Sequence, residues 1–161
     1  MRVISGIYKR RRFDVPNTFK ARPTTDFAKE NLFNVLNNLV DFEECDVLDL
    51  FAGSGQMGLE ALSRGAERAT FIDSSREAME IVKKNAKSCG FFDASHFLVS
   101  DFRNYIRKAS GREKFDLVFI DPPYGMKCCS EAAALIAKSE LIIPGAIVVL
   151  ESGEEEIAPP L

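Results

Sequence analysis

The stretch VLDLFAGSGQMGLEALSRG, residues 47–65, decides the fold. Its first residues are apolar, as in a buried strand, and its second half has the apolar spacing of a helix that Gly65 closes. Between these segments, Gly53, Gly55 and Gly58 form a G-x-G-x-x-G pattern. Glycines at a strand-to-helix turn let the backbone approach a ligand closely, so the pattern predicts a nucleotide-binding loop.

The alternation of strand and helix continues along the rest of the chain. The apolar segments that predict strands are DVLDLFA (46–52), ATFIDSS (69–75), HFLVSD (96–101), FDLVFID (115–121) and AIVVLES (146–152). Strands that are apolar throughout and alternate with helices indicate a parallel sheet covered on both faces, here a doubly wound α/β fold. In the helix after the second strand, the spacing predicts that Ala78, Ile81 or Val82, Ala86 and Cys89 face the core.

Aspartates occur where these strands end, and ligands of such sheets bind beyond the carboxyl ends of the strands. Asp73, Asp101 and Asp121 each end a predicted strand, and Asp73 lies 20 residues after Gly53, a spacing at which an acid can accept ribose hydroxyls. Asp49 precedes the loop within the first strand. The loop by itself leaves both NAD and S-adenosylmethionine (SAM) as candidate nucleotides. The Asp49 carboxylate would repel the pyrophosphate of NAD, but it can bind loop amides or the cationic methionine moiety of SAM.

The segment FIDPPYGM, residues 119–126, ends the fourth strand. Proline has no N–H to donate, so the chain must leave the sheet at Pro122 and Pro123. Asp121 and Tyr124 then place an acid and an aromatic ring at the exit. The segment is either a strand-ending turn capped by Asp121 or a site that holds a planar substrate.

The composition is that of an ordinary soluble domain, and the features below predict a cytoplasmic protein. The chain has 161 residues, 46% hydrophobic and 28% charged, without a signal-peptide core or an apolar run of membrane-spanning length. Cys45, Cys89, Cys128 and Cys129 lack CxxC spacing, and the single His96 completes no ligand set, so we predict no metal site. Cys128 and Cys129 are interpreted as buried residues that open a helix.

The charge of the chain is concentrated at its N-terminal end. Residues 1–25 hold seven basic residues and one acid, a net charge of +6, so the remainder carries −9 of the total of −3. Such a basic segment favours an anionic partner, or it is a solvated arm. We predict that residues 1–25 form a basic hairpin or extended arm and that residues 26–161 form the nucleotide-binding part of one compact domain.

Several segments together resemble the RsmD family of SAM-dependent ribosomal RNA guanine-N2 methyltransferases. They are RVISGIYKRRRFDVP, ARPTTDFAKENLFNVL, VLDLFAGSGQMGLEALSRGA and FDLVFIDPPYG. The likeness extends from about residue 2 to residue 151. It departs from the family at Arg10, where the family usually has glycine, and after residue 151, where the family usually continues with a hairpin. Without that hairpin, we expect the fifth strand of the alternation to be an exposed edge, which a monomer would leave open and a weak dimer would cover.

The resemblance implies a class I methyltransferase fold that binds SAM and releases S-adenosylhomocysteine. The implied cofactor residues lie in the glycine loop, at strand ends and in RPTTD. They are Arg22, Thr24, Thr25, Asp49, Phe51, Gly53, Gly55, Asp73, Asp101 and Phe102. The loop residues would line the methionine end of the cofactor, Asp73 its ribose, and Asp101 with Phe102 its adenine.

The resemblance also implies the substrate, a guanine amine in small-subunit (16S) ribosomal RNA, either naked or in a partially assembled subunit. Asp121, Pro122, Pro123 and Tyr124 would hold the guanine, and Lys9, Arg10, Arg11 and Arg12 would bind RNA. Three other functions stay open: methylation of a DNA base or a protein glutamine, an NAD-dependent oxidation, and RNA binding by an assembly factor without turnover. Glutamine methyltransferases more often have asparagine at the position of Asp121.

Overall fold

A seven-stranded sheet organises the structure, a computed structural model that describes the backbone of residues 2–5, 12–14, 26–123 and 128–151. Side chains are described for residues 29–123 and 128–151. The strands are β1 (Arg2–Ser5), β2 (Arg12–Asp14), β3 (Asp46–Asp49), β4 (Arg68–Asp73), β5 (Ser95–Val99), β6 (Phe115–Ile120) and β7 (Ile142–Leu150). The helices are α1 (Asp26–Leu36), α2 (Gln56–Ser63), α3 (Arg76–Cys89), α4 (Phe102–Ala109) and α5 (Cys129–Lys138).

The strand order is β2-β1-β7-β6-β3-β4-β5. The strands from β7 to β5 are parallel, while β1 pairs antiparallel with both β2 and β7. The predicted doubly wound sheet and N-terminal hairpin are therefore confirmed. Parallel strands joined through helices place their carboxyl ends at one edge of the sheet, where ligands of this architecture bind.

Two hydrophobic cores cover the two faces of this sheet. Helices α4 and α5 pack on one face, where Val118 and Ile120 of β6 point, and α1, α2 and α3 pack on the other, with Leu117 and Phe119. Strand residues alternate between the faces, so both sets are apolar, as expected for a strand buried on both sides.

The expectation that the fifth strand of the alternation would be an exposed edge was wrong. That strand is β7, and β1 pairs along it, with Val3 opposite Val149 and Ile4 opposite Val148. The N-terminal hairpin thus supplies the hydrogen-bonding partners that an edge strand lacks. Because β1 already pairs with β7, no dimer is needed to cover this strand.

The prediction for the inner face of α3 was partly wrong. Val82, one of the two alternatives, and Ala86 are buried as predicted, and Ala78 is partly buried. Cys89 is exposed, and Met79, which was not predicted, is buried. Apolar residues occur at adjacent positions of this helix, so spacing alone does not fix which of two neighbouring stripes faces the sheet. Cys128 and Cys129 are buried at the start of α5, as expected.

Among the described residues, no helix has the length and apolar character that crossing a membrane requires. The same part of the chain contains no group of three or more metal-ligating side chains arranged to bind an ion.

Candidate active site at the carboxyl edge of the sheet

Four aspartates meet at the carboxyl edge of the parallel strands. Asp49 and Asp73 are the last residues of β3 and β4, Asp121 follows β6 directly, and Asp101 lies two residues after β5. Backbone hydrogen bonds also join the chain segments that leave this edge, from Ala52 N to Ile72 O (2.8 Å) and from Ser100 N to Asp73 O (2.9 Å). The strand-end acids predicted from the sequence are therefore neighbours in space.

The glycine loop between β3 and α2 uses its glycines in different ways. Gly53 and Gly55 have φ values of 56° and 84°, a left-handed conformation that favours glycine. A Cβ on Gly55 would lie 2.9 Å from Val82 Cγ1, and one on Gly58 would lie 2.4 Å from the Phe71 ring. A Cβ on Gly53 would meet no atom within 4 Å. Gly55 and Gly58 thus let the loop pack on the protein, whereas Gly53 faces open space.

Asp73 connects this loop to the start of α3. Its carboxylate accepts hydrogen bonds from Gly53 N and Ser75 N, both at 2.9 Å. Asn85 of α3 donates from its side chain to Ser54 O at 3.0 Å, which attaches the loop to the same helix. Ser75 and Asn85 were not among the predicted site residues. Ser75 carries the signal of an N-terminal cap, but nothing in the sequence distinguishes Asn85 from other polar helix residues.

Asp49 is buried, with 2% of its surface exposed, and accepts a hydrogen bond from Gly58 N at 3.1 Å. Burial raises the pKa of its carboxyl group to about 7, and the negative charges of Asp121 and Asp73 add to the rise, against the lowering effect of the Gly58 N–H. This bond also occupies an amide in the first turn of α2, the helix end at which a dinucleotide's pyrophosphate would bind. The geometry therefore disfavours NAD.

Asp101 is the N-terminal cap of α4 and accepts hydrogen bonds from Arg103 N (3.1 Å) and Asn104 N (3.3 Å). The next residue, Phe102, is buried, and its ring lies against that of Phe51 with the centroids 5.1 Å apart. An acid and an aromatic pair therefore adjoin each other at this edge, a combination that suits a planar base.

The Asp-Pro-Pro segment leaves the edge next to β7, where Glu151 N donates to Ile120 O at 2.9 Å. Asp121 is partly buried, Pro122 is buried and Pro123 is exposed. The other predicted site residues lie outside the described residues, except Arg12, whose backbone belongs to β2. They are Tyr124, Arg22, Thr24, Thr25, Lys9, Arg10 and Arg11.

Comparison with known proteins decides the family. The profile of the family described as conserved hypothetical protein 95 matches residues 1–160. Ribosomal RNA small subunit methyltransferase D of Haemophilus influenzae is 33% identical over 158 residues, which cover 97% of this chain and 80% of the relative. The chain belongs to the RsmD family.

Solved structures agree with this membership in the RsmD family. The Escherichia coli protein yhhF matches with a TM-score of 0.73 and 28% identity, over 98% of this chain and 86% of that one. A SAM-dependent methyltransferase from Agrobacterium tumefaciens matches with a TM-score of 0.53 and 26% identity, over 66% of this chain and 35% of that one. The sheet is therefore the Rossmann-like sheet of class I methyltransferases, as the sequence predicted.

Proposed function

We propose that this RsmD-family protein transfers the methyl group of SAM to the exocyclic N2 amine of a guanine in small-subunit (16S) ribosomal RNA. One observation carries the proposal: the glycine loop, Asp73 and Asp101 lie at the same sheet edge as Asp121 of the DPPY segment. Family membership, through relatives named as small-subunit ribosomal RNA methyltransferases, supports the substrate class. Free cysteines are consistent with a reducing cytoplasm as the place of reaction.

The residues at this edge suit SAM. Gly53 leaves open space beside the backbone, where the methionine end of the cofactor would lie. Asp73 accepts one backbone N–H at each carboxylate oxygen and keeps lone pairs to accept the ribose hydroxyls. Asp101 and Phe102 would border the adenine, with Phe51 behind the Phe102 ring. Arg22 and Thr24 or Thr25 stay proposals for the cofactor carboxylate.

The Asp-Pro-Pro-Tyr segment would position the guanine amine. The lone pair of this amine is delocalised into the ring, so it must be drawn out and aimed at the electrophilic methyl group that bound SAM supplies. We assign Asp121 and the Pro122 carbonyl as acceptors for the two N–H groups. The amine proton becomes acidic as the new C–N bond forms, so Asp121 can take it without being a strong base beforehand. Pro123 fixes the turn.

Tyr124 would stack on the guanine once the base leaves its helix, a contact worth roughly 1–3 kcal/mol. Lys9, Arg10, Arg11 and Arg12 would bind the RNA backbone. Since phosphate contacts release counterions, binding by these residues should weaken steeply with salt.

The test supplies the protein with SAM carrying a labelled methyl group and with 16S RNA or partially assembled small subunits, and identifies the methylated nucleoside or amino acid by mass spectrometry. We expect N2-methylguanine. Methylated adenine, cytosine or glutamine would overturn the substrate, and RNA binding without methyl transfer to either form would favour an assembly factor. Comparing the two RNA forms at equal concentration determines which one is the substrate.

A further inference from the structure

A bidentate ion pair joins the two helices that begin at the candidate site. Arg103 in the first turn of α4 donates from Nε to Glu131 Oε2 at 2.5 Å and from Nη2 to Glu131 Oε1 at 2.7 Å. Glu131 lies in the first turn of α5. The planar guanidinium matches a carboxylate in this two-bond geometry, so the pair fixes orientation as well as distance.

The same arginine contacts both residues proposed to border the adenine. Arg103 Nη1 lies 3.5 Å from Asp101 Oδ1, and its Cζ lies 4.5 Å from the centre of the Phe102 ring. Asp101 also caps α4 through the backbone N–H of Arg103. Three contacts therefore hold Arg103 against the cofactor side of the site: the ion pair with Asp101, the Phe102 ring and the capping hydrogen bond to Asp101.

Glu131 lies in the part of the chain that follows the residues proposed to hold the substrate. It lies ten residues after Asp121, in the helix to which the DPPY segment leads. Cys128 and Cys129, which precede Glu131 in the chain, are buried in the core that also contains Phe102 and Tyr105 of α4. This packing sets the spacing of the two helices, and the ion pair spans their exposed side.

We infer that Arg103 is a positioning residue, which through Glu131 holds α5 and the preceding residues Asp121–Pro123 in register with the adenine side of the site. The inference rests on the proposed function. The side chains of Arg103 and Glu131 are 52% and 45% exposed, and exposed pairs contribute little to stability. The effect of the pair should therefore appear in the rate of methyl transfer rather than in the melting temperature.

Arg68 provides a matched control. It forms a similar bidentate pair with Asp46, at 3.1 and 3.2 Å, and its side chain is 56% exposed. This pair joins β4 to β3 where the two strands begin, at the opposite end of the sheet. Arg68→Ala thus removes the same kind of interaction from a place that does not adjoin the site.

The first experiment compares Arg103→Ala, Glu131→Ala and Arg68→Ala by steady-state methyl transfer. We expect both site variants to lower kcat by about 10- to 100-fold, because small misplacements of reacting groups are costly, with KM for RNA unchanged. Arg68→Ala should retain wild-type kcat. Equal losses in all three variants, or none in the site variants, would overturn the inference.

A rival explanation is that Arg103 simply binds an RNA phosphate while Glu131 competes for it. In that case, Arg103→Ala would raise KM for RNA, and Glu131→Ala would lower it. Positioning predicts instead that both variants lose kcat together and that their effects are not additive in the double variant. Reversing the pair, with Arg103→Glu and Glu131→Arg combined, should recover part of the kcat that Arg103→Glu alone loses.

A second measurement does not depend on turnover. Hydrogen exchange of the amides of Asp121 and of residues 128–131 should slow when S-adenosylhomocysteine binds the wild-type protein, and this protection should be lost in Arg103→Ala but kept in Arg68→Ala. Protection that is equal in all three proteins would overturn the inference even if the RNA substrate were wrong. A wild-type protein that shows this protection but methylates no RNA would instead contradict the proposed function.

Discussion

The two ends of the parallel sheet use aspartate differently. At the amino end, Asp46 is paired with Arg68, and Asp116 accepts a hydrogen bond from Asp46 N at 2.8 Å. At the carboxyl end, Asp49 and Asp73 accept from backbone amides, at 3.1 Å from Gly58 N and at 2.9 Å from Gly53 N. At the amino end the carboxylates bind groups of neighbouring strands, whereas at the carboxyl end they bind amides of the glycine loop and of the first turn of α2, where a ligand of this fold would lie.

The largest effect should distinguish Asp121, which follows β6, from Asp116 near the start of that strand. Asp121→Ala should lower methyl transfer by about 10²–10⁴-fold, because the amine loses the group that accepts its proton, and SAM affinity should be retained. Asp116→Asn, at the other end of the same strand, keeps an oxygen acceptor and should leave kcat unchanged. Calorimetry with SAM and a methyl-transfer assay measure the two quantities, and an active Asp121→Ala would remove this residue from the mechanism.

A smaller effect should distinguish Asp73 from Asp46. Asp73→Ala should weaken SAM binding by about 10- to 100-fold, since hydrogen bonds to a charged group are worth roughly 1.5–3 kcal/mol. Asp46→Ala removes an exposed ion pair and should leave SAM affinity unchanged. Titration calorimetry of both variants checks this, and equal affinities would show that Asp73 does not touch the cofactor.

Asp49 offers a test through pH. Its pKa of about 7 in the folded protein lies above the ordinary value of 3.8, so the folded state binds this proton more tightly than the unfolded chain. The resulting stabilisation is fully present below about pH 4 and is lost as pH rises through about 7. Asp49→Asn cannot titrate, so its free energy of unfolding should fall less over this range than that of the wild type. Urea titrations without cofactor at pH 4, 5.5 and 7 measure the difference, and parallel pH profiles would contradict it.

Glycine substitutions provide the last contrast. Gly58→Ala should destabilise the fold by about 1–3 kcal/mol through its clash with Phe71 and should also weaken SAM binding. Gly145 lies in β7 at the amino end, with φ of 85°, and a Cβ added there would meet no atom within 4 Å. Gly145→Ala should cost about 1–2 kcal/mol of backbone strain without changing SAM affinity. Chemical denaturation and calorimetry together separate the two, and equal SAM affinities would contradict the role given to Gly58.

The sequence predicted the parallel part of the fold because each of its strands has a local signal. Each signal, whether an apolar run, a glycine that ends a helix or helical spacing, lies within a stretch of about ten residues. These signals predicted β3 to β7. The pairing of β1 with β7 did not follow, because it joins residues near positions 3 and 149, and no local pattern encodes such a contact.

The candidate site was predictable to a similar extent. Motif spacing located Gly53, Asp73 and Asp121, and the parallel sheet implied that they share an edge. The hydrogen bond from Gly53 to Asp73 depends on how the loop lies beside the end of β4, and the bond from Asn85 to Ser54 depends on how α3 packs beside the loop. The bidentate pair of Arg103 and Glu131 depends likewise on the packing of α4 against α5. Spacing in the sequence does not determine such contacts.

The most direct test of the contrast between the two ends is a crystal structure of the protein with S-adenosylhomocysteine. We predict that the ribose hydroxyls lie within hydrogen-bonding distance of Asp73, that the adenine lies beside Asp101 and Phe102, and that the sulfur lies on the side of Asp121. A ligand bound at the amino end, in the cleft that Asp46, Arg68 and His96 line, would contradict the account.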